Sequence, residues 1–532
     1  MLWIALHLPL LSLESFAATL ATGPGEPGAV AERPIALLEA HRIVSANAAA
    51  RALGVKAGLK RATALALAPQ IVLGQADVAR DAAALLPVAH AALVFTPSVS
   101  LQPASVPDAA ADTVLLEVQA SLRYFGGIER LREAIEAALR PLGHVVQMAS
   151  AATAGGAAIL ARVDPPPQCA DLDATRVALG AAPVWLLGPG REHWEALQGM
   201  GLRNLGDLLS LPRAGLARRF SEALLVELDC AFGRRADPRE PIVLPPAFES
   251  RLELFARADT TEQVLRGASV LLERLIAWLA AQHAFVRRFR LLMHHESRWQ
   301  QSDRTPQATS LDIALAEPSR DSAHLLVLLR ERLARLQLPA PTLELRLQAD
   351  DISKRAPPNV ELFATGQSEN EGLTRLIERL QARLGSGHVQ RLTALEDHRP
   401  ERASVLREAD ASDARRSRRG EKKPTRSTPA GDAPVVCGAA TAPRPVWLQP
   451  AQPLTEQAAR PLFEGRPLQL LSGPERIEAG WWDAGQAGRD YFIAAAADGA
   501  LVWIYRERLP LSRSANEDEA PASGWFLHGR FG

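Results

Sequence analysis

Cysteine is nearly absent: Cys169, Cys230 and Cys437 are the three in 532 residues. They are odd in number, far apart and in no metal-ligand spacing, which argues against a disulfide framework or a cysteine zinc site and suits a reducing compartment. No Lys or Arg precedes Arg33, whereas a secretory signal needs a basic start as well as an apolar stretch and a small-residue cleavage site. The opening MLWIALHLPLLSLESFAA offers only the last two, and His7 and Pro9 interrupt its apolar run. It reads either as an export signal or as a buried strand followed by a helix. Nowhere does the chain hold the eighteen or so unbroken apolar residues of a membrane helix, so no membrane partner is expected. An excess of one charge is missing too, since Lys plus Arg and Asp plus Glu number 60 each. Whole-chain charge gives no argument for a polyanionic partner, and any basic surface must be local.

What is present is enough chain for about three to five domains. The first 170 residues alternate strand and helix signals. RPIALLE at 33–39 suits a buried strand, NAAARALGV at 47–55 a helix stopped by Gly54, and GLKRATALALAP at 58–69 a helix closed by Pro69. AALVFTPSVSL and DTVLLEVQA read as strands, residues 129–139 as a helix, and HVVQMAS as a strand. This alternation points to a sheet covered by helices, an α/β arrangement.

Between about 180 and 240 the elements shorten. LQGMGLRNLGDLLSLP sets Gly199 and Gly201 either side of Met200 before an apolar helix. A Gly-x-Gly hairpin between two short helices lets backbone amides approach a phosphate, because no Cβ blocks the way. Arg203, Arg218 and Arg219 would add cationic contacts. The pattern fits a helix-hairpin-helix for sequence-independent DNA binding, and equally a plain helical corner with solvated arginines. From 243 to 350 the order is strand, long amphipathic helix, strand, strand, helix, strand, two β-α-β halves of a split-βαβ domain. Arg287, Arg288 and Arg290 on one of its strands suggest a surface that tracks a nucleic-acid backbone, or a solvated sheet face. Residues 397–432, dense in charge, Pro, Ser and Ala, are expected to be a disordered linker. The last hundred residues look like antiparallel strands with Gly-containing turns, with Trp481, Trp482, Trp503 and Tyr505 expected in a small core.

NAAARALGV, LLEVQASLRYFGG, MGLRNLGDLLSLP, LDCAFGRRADPR, DHRPERA, LLSGPERIEAGWWD and GWFLHGRF follow one another in this order. In that succession the chain resembles the Y-family translesion DNA polymerases, and among them the ImuB-type relatives. The resemblance implies a multi-domain α/β right-hand architecture: palm at 1–10 and 75–170, fingers at 11–74, a helix-hairpin-helix thumb at 171–240 and a split-βαβ little finger at 241–350. A clamp-motif and helical segment at 351–396, the linker at 397–432 and a β-rich partner-binding region at 433–532 would follow. It also implies that the opening is a palm strand in a cytoplasmic protein.

Family members carry Asp, an apolar residue, Asp and aromatics on that strand, ending in Val-Glu. Setting the terminal Glu on Glu14 puts Ala5 and His7 at the two aspartate positions. The second motif, Asp-Glu, falls on Asp112 and Thr113. Nucleotidyl transfer uses paired divalent ions held by hard carboxylate oxygens, so the resemblance implies a site without metal, cofactor or catalysis. Ala48 and Arg51 stand where a Tyr and an Arg usually meet the triphosphate, and a phosphate-binding Lys is missing from the helix that ends at Arg162. Glu117 and Asp108 are the acids nearby that could substitute.

A chain of this kind is implied to be a non-catalytic adaptor in damage-induced mutagenesis. It would bridge DNA, the sliding clamp (its beta subunit), a RecA-like accessory protein of the ImuA type and an error-prone C-family polymerase. Clamp peptides read Gln, an aliphatic residue, any residue, Leu, Phe, in an extended segment. NVELF supplies Asn359, Val360, Leu362 and Phe363 after a Pro-rich entry; a short edge strand is the alternative. The alternatives in function are an active polymerase with displaced ligands and an exported protein of unrelated activity.

Overall fold

The computed structural model describes residues 1–20, 33–103, 111–188, 193–296, 307–354, 366–409, 443–445, 447–483, 485–508 and 524–531. It divides into two units, Met1–Arg383 and Leu384–Gly532.

The opening stretch forms strand β1 (Trp3–His7) and helix α1 (Leu11–Thr19). Next come β2 (Ile35–Glu39), β3 (Arg42–Ala46), α2 (Ala48–Ala52), α3 (Arg61–Leu67) and β4 (Val72–Gln75), whose strands pair in the order β3-β2-β4. Helices α2 and α3 cover Leu38, Ile43 and Val55 on one face, while α1 packs Phe16 against Ile35 and Leu37 on the other. Asn47 fixes the entry to α2. Its Oδ1 accepts from Ala50 N at 2.9 Å and from Ile35 N at 3.0 Å, capping the helix and tying it to β2.

Helix α4 (Val78–Ala92), β5 (Val99–Leu101), β6 (Thr113–Glu117), α5 (Leu122–Phe125), α6 (Ile128–Leu139), β7 (Gln147–Ala151) and α7 (Ala154–Leu160) complete the first layers. The sheet runs β5-β6-β1-β7, with β1 antiparallel to both neighbours. A central strand is buried on both faces, which is why WIAL, up to His7, is a continuous apolar run rather than alternating. Ile4 and Leu6 face α4 and α6, and Ala5 faces α7. Every residue of α7, AGGAAIL, is buried. Its glycines permit close approach: a Cβ on Gly156 would lie 2.5 Å from Thr153 Oγ1 and 3.2 Å from Ala231 O. The strand expected over AALVFTPSVSL is shorter than its apolar run. Asp77 caps α4 through Ala79 N and Arg80 N, the helix carries on through Ala92, and extended structure resumes only beyond Pro97.

Helices α8 (Leu172–Ala181), α9 (Trp194–Gly199), α10 (Leu205–Leu209), α11 (Arg213–Arg219) and α12 (Glu222–Ala231) share the α7 core through Leu179, Leu197, Leu205, Leu208 and Leu228. Then come β8 (Phe248–Ala258), α13 (Thr261–Ala281), β9 (Ala284–His295), β10 (Ala308–Ser319), α14 (Ser322–Leu333) and β11 (Thr342–Lys354), with strand order β10-β9-β11-β8. Thr260 and Gln263 form a capping box at the start of α13. Trp278 is fully buried among Leu and Phe side chains of this sheet. Helix α15 (Gly366–Leu384) follows.

In the second unit β12 (Gln390–Ala394) pairs with β13 (Ser404–Glu408). Strands β14 (Trp447–Pro453), β15 (Thr455–Gln457), β16 (Arg460–Phe463), β17 (Arg466–Pro467), β18 (Gln469–Ala479), β19 (Ala487–Ala495), β20 (Leu501–Glu507) and β21 (Trp525–Arg530) form sheets β14-β21-β20-β19-β18 and β15-β16-β17. The linker expected over 397–432 is therefore wrong for its first part. Arg399, 2% exposed, donates to Asp397, to Asp483 at 2.8 Å and to Gly485 O at 2.7 Å. A guanidinium with two carboxylates organises a stretch that composition alone marks as solvated. Residues 410–432 lie outside the described residues. Of the aromatics expected in the core, Trp503 and Tyr505 are there, and Trp503 stacks on Tyr491 at 4.0 Å. Trp481 and Trp482 are not: they are 78% and 57% exposed on the turn after β18. Among the described residues no helix is long and apolar enough to cross a membrane.

Candidate palm site and nucleic-acid interface

The register of β1 against β6 sets His7 opposite Thr113 and Ala5 opposite Leu115. Only His7 of the two β1 positions reaches the site. Ala5 is fully buried beneath α7, two residue pairs away, so it is a core residue rather than a vacated ligand position beside Asp112. Thr113 Oγ1 donates to Asp112 Oδ1 at 2.8 Å. His7 Nδ1 lies 3.2 Å from Thr113 Oγ1 and 3.6 Å from Asp112 Oδ1. With the hydroxyl proton committed to Asp112, the Thr113 oxygen accepts from His7, so Nδ1 is the nitrogen that carries a proton toward it.

The fourth member is Arg162, two residues past α7, whose Nη2 donates to the same Asp112 oxygen at 2.8 Å. Burial pushes the Asp112 carboxyl up. The neighbouring His7 and Arg162, with the Thr113 hydroxyl, outweigh that and hold it well below the usual carboxylate range. Arg162 was missed as a site residue in the sequence. The available signal was that it is the one charged side chain in ASAATAGGAAILAR.

This set does not fit a pair of divalent ions. Hard cations need several oxygen ligands, and here one carboxylate already carries a guanidinium. Thr113 is neutral, and an imidazole nitrogen suits softer metals. Glu117 does not join: it lies at the far end of β6 opposite Trp3 and accepts from Gln119 N. Asp108 lies outside the described residues. Among the described residues no three His, Cys, Asp or Glu side chains converge as a metal site would require.

Beside the ion pair a cleft of about 370 Å³ lies between α7 and α12. Arg162, Arg239, Glu227 and Asp237 line it. Burial pushes the Glu227 carboxyl up, against the Gly188 amide and the charges of Arg162 and Arg239. Arg239 is taken by Asp237 and by Gln102 at 2.7 Å.

The hairpin between α9 and α10 has the expected shape, with Gly201 at φ +82° and open space around both glycines. Its amides, however, are engaged inside the fold. Met200, Gly201 and Leu202 donate to carbonyls of α9, and Arg203 and Asn204 both donate to Asp207 Oδ2. A phosphate contact here falls to side chains, and Arg203, Arg218 and Arg219 are all exposed. Arg213 is not free, since it pairs with Asp229.

On β9, Arg287, Arg288 and Arg290 all point to solvent while Val286, Phe289 and Leu291 are buried. The same face carries acids. Arg290 pairs with Asp312 at 2.7 Å, Arg251 with Glu344 at 2.8 Å, and Arg346 with Glu249 at 3.1 Å. Arg287 and Arg288 have no such partner among the described residues, so the unneutralised charge is narrower than the strand's composition suggests. Ala48 and Arg51 are exposed on α2. Asn359, Val360, Leu362 and Phe363 lie outside the described residues.

Residues 13–162 match the model of the impB/mucB/samB family, a match that begins after β1. Over 493 residues the chain is 29% identical to Protein ImuB of Caulobacter vibrioides (strain NA1000 / CB15N), covering 90% of this chain and 100% of the relative. Protein ImuB of Caulobacter vibrioides (strain ATCC 19089 / CIP 103742 / CB 15) gives the same figures. Among solved structures, an insertion ternary complex of Dbh DNA polymerase is 17% identical, over 67% of this chain and 100% of that one, with a TM-score of 0.37. DinB from Sulfolobus solfataricus is 18% identical, over 66% and 99%, with a TM-score of 0.36.

Proposed function

We infer, from the match of residues 13–162 to the impB/mucB/samB family and the 29% identity to Protein ImuB over 90% of the chain, that this Y-family-like protein is a non-catalytic adaptor in damage-induced mutagenesis. The observation that carries the reading is the Arg162–Asp112 pair at 2.8 Å. Among the described residues the one carboxylate at this site, Asp112, is bound to a fixed cation of the protein itself, where two-ion chemistry needs it open to metal. His7 and Thr113 complete a hydrogen-bonded cluster around the Asp112 carboxylate.

An adaptor needs surfaces rather than chemistry. In this reading DNA is held by Arg203, Arg218 and Arg219 of the thumb and by Arg287 and Arg288 of the little finger. The other partners are the sliding clamp, a RecA-like accessory protein and an error-prone C-family polymerase that performs synthesis. Clamp attachment is assigned to NVELF, whose Leu362 and Phe363 would enter an apolar pocket. Anchors of this kind cost about 2 kcal/mol or more each when truncated, roughly a thirtyfold loss per anchor. A pull-down of the sliding clamp with the full chain tests the assignment. Leu362→Ala with Phe363→Ala should abolish capture and leave DNA affinity nearly unchanged, and Asn359→Gln should tighten it. Undiminished capture by the double variant would place the clamp-binding segment elsewhere.

A further inference from the structure

A cavity of about 730 Å³ lies away from the palm site. It forms where α1, the α2 N-terminus, α4, the turn after α6 and α13 meet. Leu10, Leu13, Ile35, Pro87, Leu142 and Val270 make its walls mainly apolar. Its size is that of a small-molecule site. The polar groups on those walls are unequal in their satisfaction. Glu14 is matched by His144 Nδ1 at 2.9 Å and Val145 N at 3.0 Å. Glu273 accepts from the Ser322 hydroxyl.

Arg274 is different. It is 6% exposed, and its Nη1 donates only to neutral acceptors, Ser250 Oγ and Arg251 O, each at 3.2 Å. No carboxylate among the described residues pairs with it, in contrast to the buried Arg162 and Arg399. Burial alone lowers its pKa to about 10, with no acid countering the effect. A buried cation without a counter-charge is costly. Here it faces a cavity able to hold one.

We propose that this cavity binds an amphiphilic monocarboxylate, with the carboxylate on Arg274 and the apolar body along Leu10, Leu13, Pro87 and Val270. Arginine presents a planar fork matched to a carboxylate. Glu14 and Glu273 on the same walls oppose a second negative charge on the ligand, which selects a monoanion over a phosphate monoester. The carboxylate can belong to a free acyl acid or to the C-terminus of an apolar peptide. The site shares no residue with the thumb, little-finger strand or clamp surfaces, so it stands apart from the adaptor reading.

Titration calorimetry on the full chain tests it. The probes are decanoate, decanol, decyl phosphate, and an apolar tripeptide with a free or an amidated C-terminus. One equivalent of decanoate or of the free-acid peptide should bind, and whichever is tighter identifies the source. Decanol, decyl phosphate and the amide should bind at least about tenfold more weakly. Arg274→Gln should weaken the preferred ligand by about thirtyfold or more, since it removes one partner of a desolvated charge pair. Arg274→Lys should recover part of the loss. Ser269→Phe fills the cavity without touching the charge and should block binding in a folded protein, which keeps the test decisive if Arg274→Gln does not fold. Binding that is insensitive to Arg274→Gln and to Ser269→Phe would overturn the proposal. So would the absence of binding by both carboxylates.

Discussion

Removing Arg162 should destabilise the palm through Asp112, and the size of the effect can be worked out. Breaking a fully buried pair by deleting one partner costs about 3–5 kcal/mol, because a charge is left uncompensated. Asp112 retains 38% side-chain exposure against 14% for Arg162, so water screens part of this. A discounted cost of about 1–2 kcal/mol is expected. Arg162→Met keeps the aliphatic stem and isolates the charge. For a region of this size that is a fall of roughly 2–8 °C in the melting transition containing the palm. Asp112→Asn should cost a comparable amount, and the double variant should be little worse than either single one, because the two residues act as a pair. The pH dependence follows from the depressed Asp112 pKa. A carboxyl lowered in the folded state contributes stability that is fully present above its unfolded value of about 4 and is lost as pH falls towards its folded value. The Arg162→Met deficit should therefore be complete at pH 7.5 and shrink below about pH 4. Differential scanning fluorimetry across this range, on all four proteins, is the assay. Strictly additive single effects, or a deficit that grows on acidification, would refute the pairing.

Two further outcomes are expected. Replacing Arg203, Arg218 and Arg219 with Ala should weaken binding to any DNA sequence and reduce the slope of log K against log salt by about 0.9 for each phosphate no longer neutralised, as read by fluorescence anisotropy; an unchanged slope would move DNA off the thumb. In the second unit, Asp397 is lowered to about 2 by its hydrogen bonds from Arg399, so its contribution is present above about pH 4 and fades as pH falls towards 2. The fluorescence of Trp481 and Trp482 should change over that interval, and Gly480→Ala should produce the change at neutral pH, because its φ is +78° and a Cβ there would meet Arg399 Nη1 and Gly485 O at 2.5 Å; a turn insensitive to both would refute the clamp between 397–399 and 483–485.

Elements with strong periodicity were legible in the sequence. The amphipathic α13 pattern, its flanking strands and the buried β1 run all reflect local rules of burial and periodicity. Asp112 and Thr113, picked out by motif, are hydrogen-bonded to one another. The residues that were not legible depend on partners far along the chain. Arg162 meets Asp112 across 50 residues, and Arg399 meets Asp483 across 84. Composition averages charge over a window, and so DHRPERA reads as solvated when one of its arginines is buried. Counting arginines on β9 overstated a basic surface for a related reason, since the neutralising acids sit on neighbouring strands. The placement of Ala5 shows the limit of motif alignment. A two-residue step along β1 keeps the same face but moves the side chain from the site into the core.

The central claim is that this palm performs no synthesis. Primer extension by the purified full chain, on undamaged and abasic templates with magnesium or manganese, tests it most directly. No template-directed incorporation is expected under conditions in which the protein retains DNA. Incorporation that follows the template and disappears in the Asp112→Ala variant would contradict it.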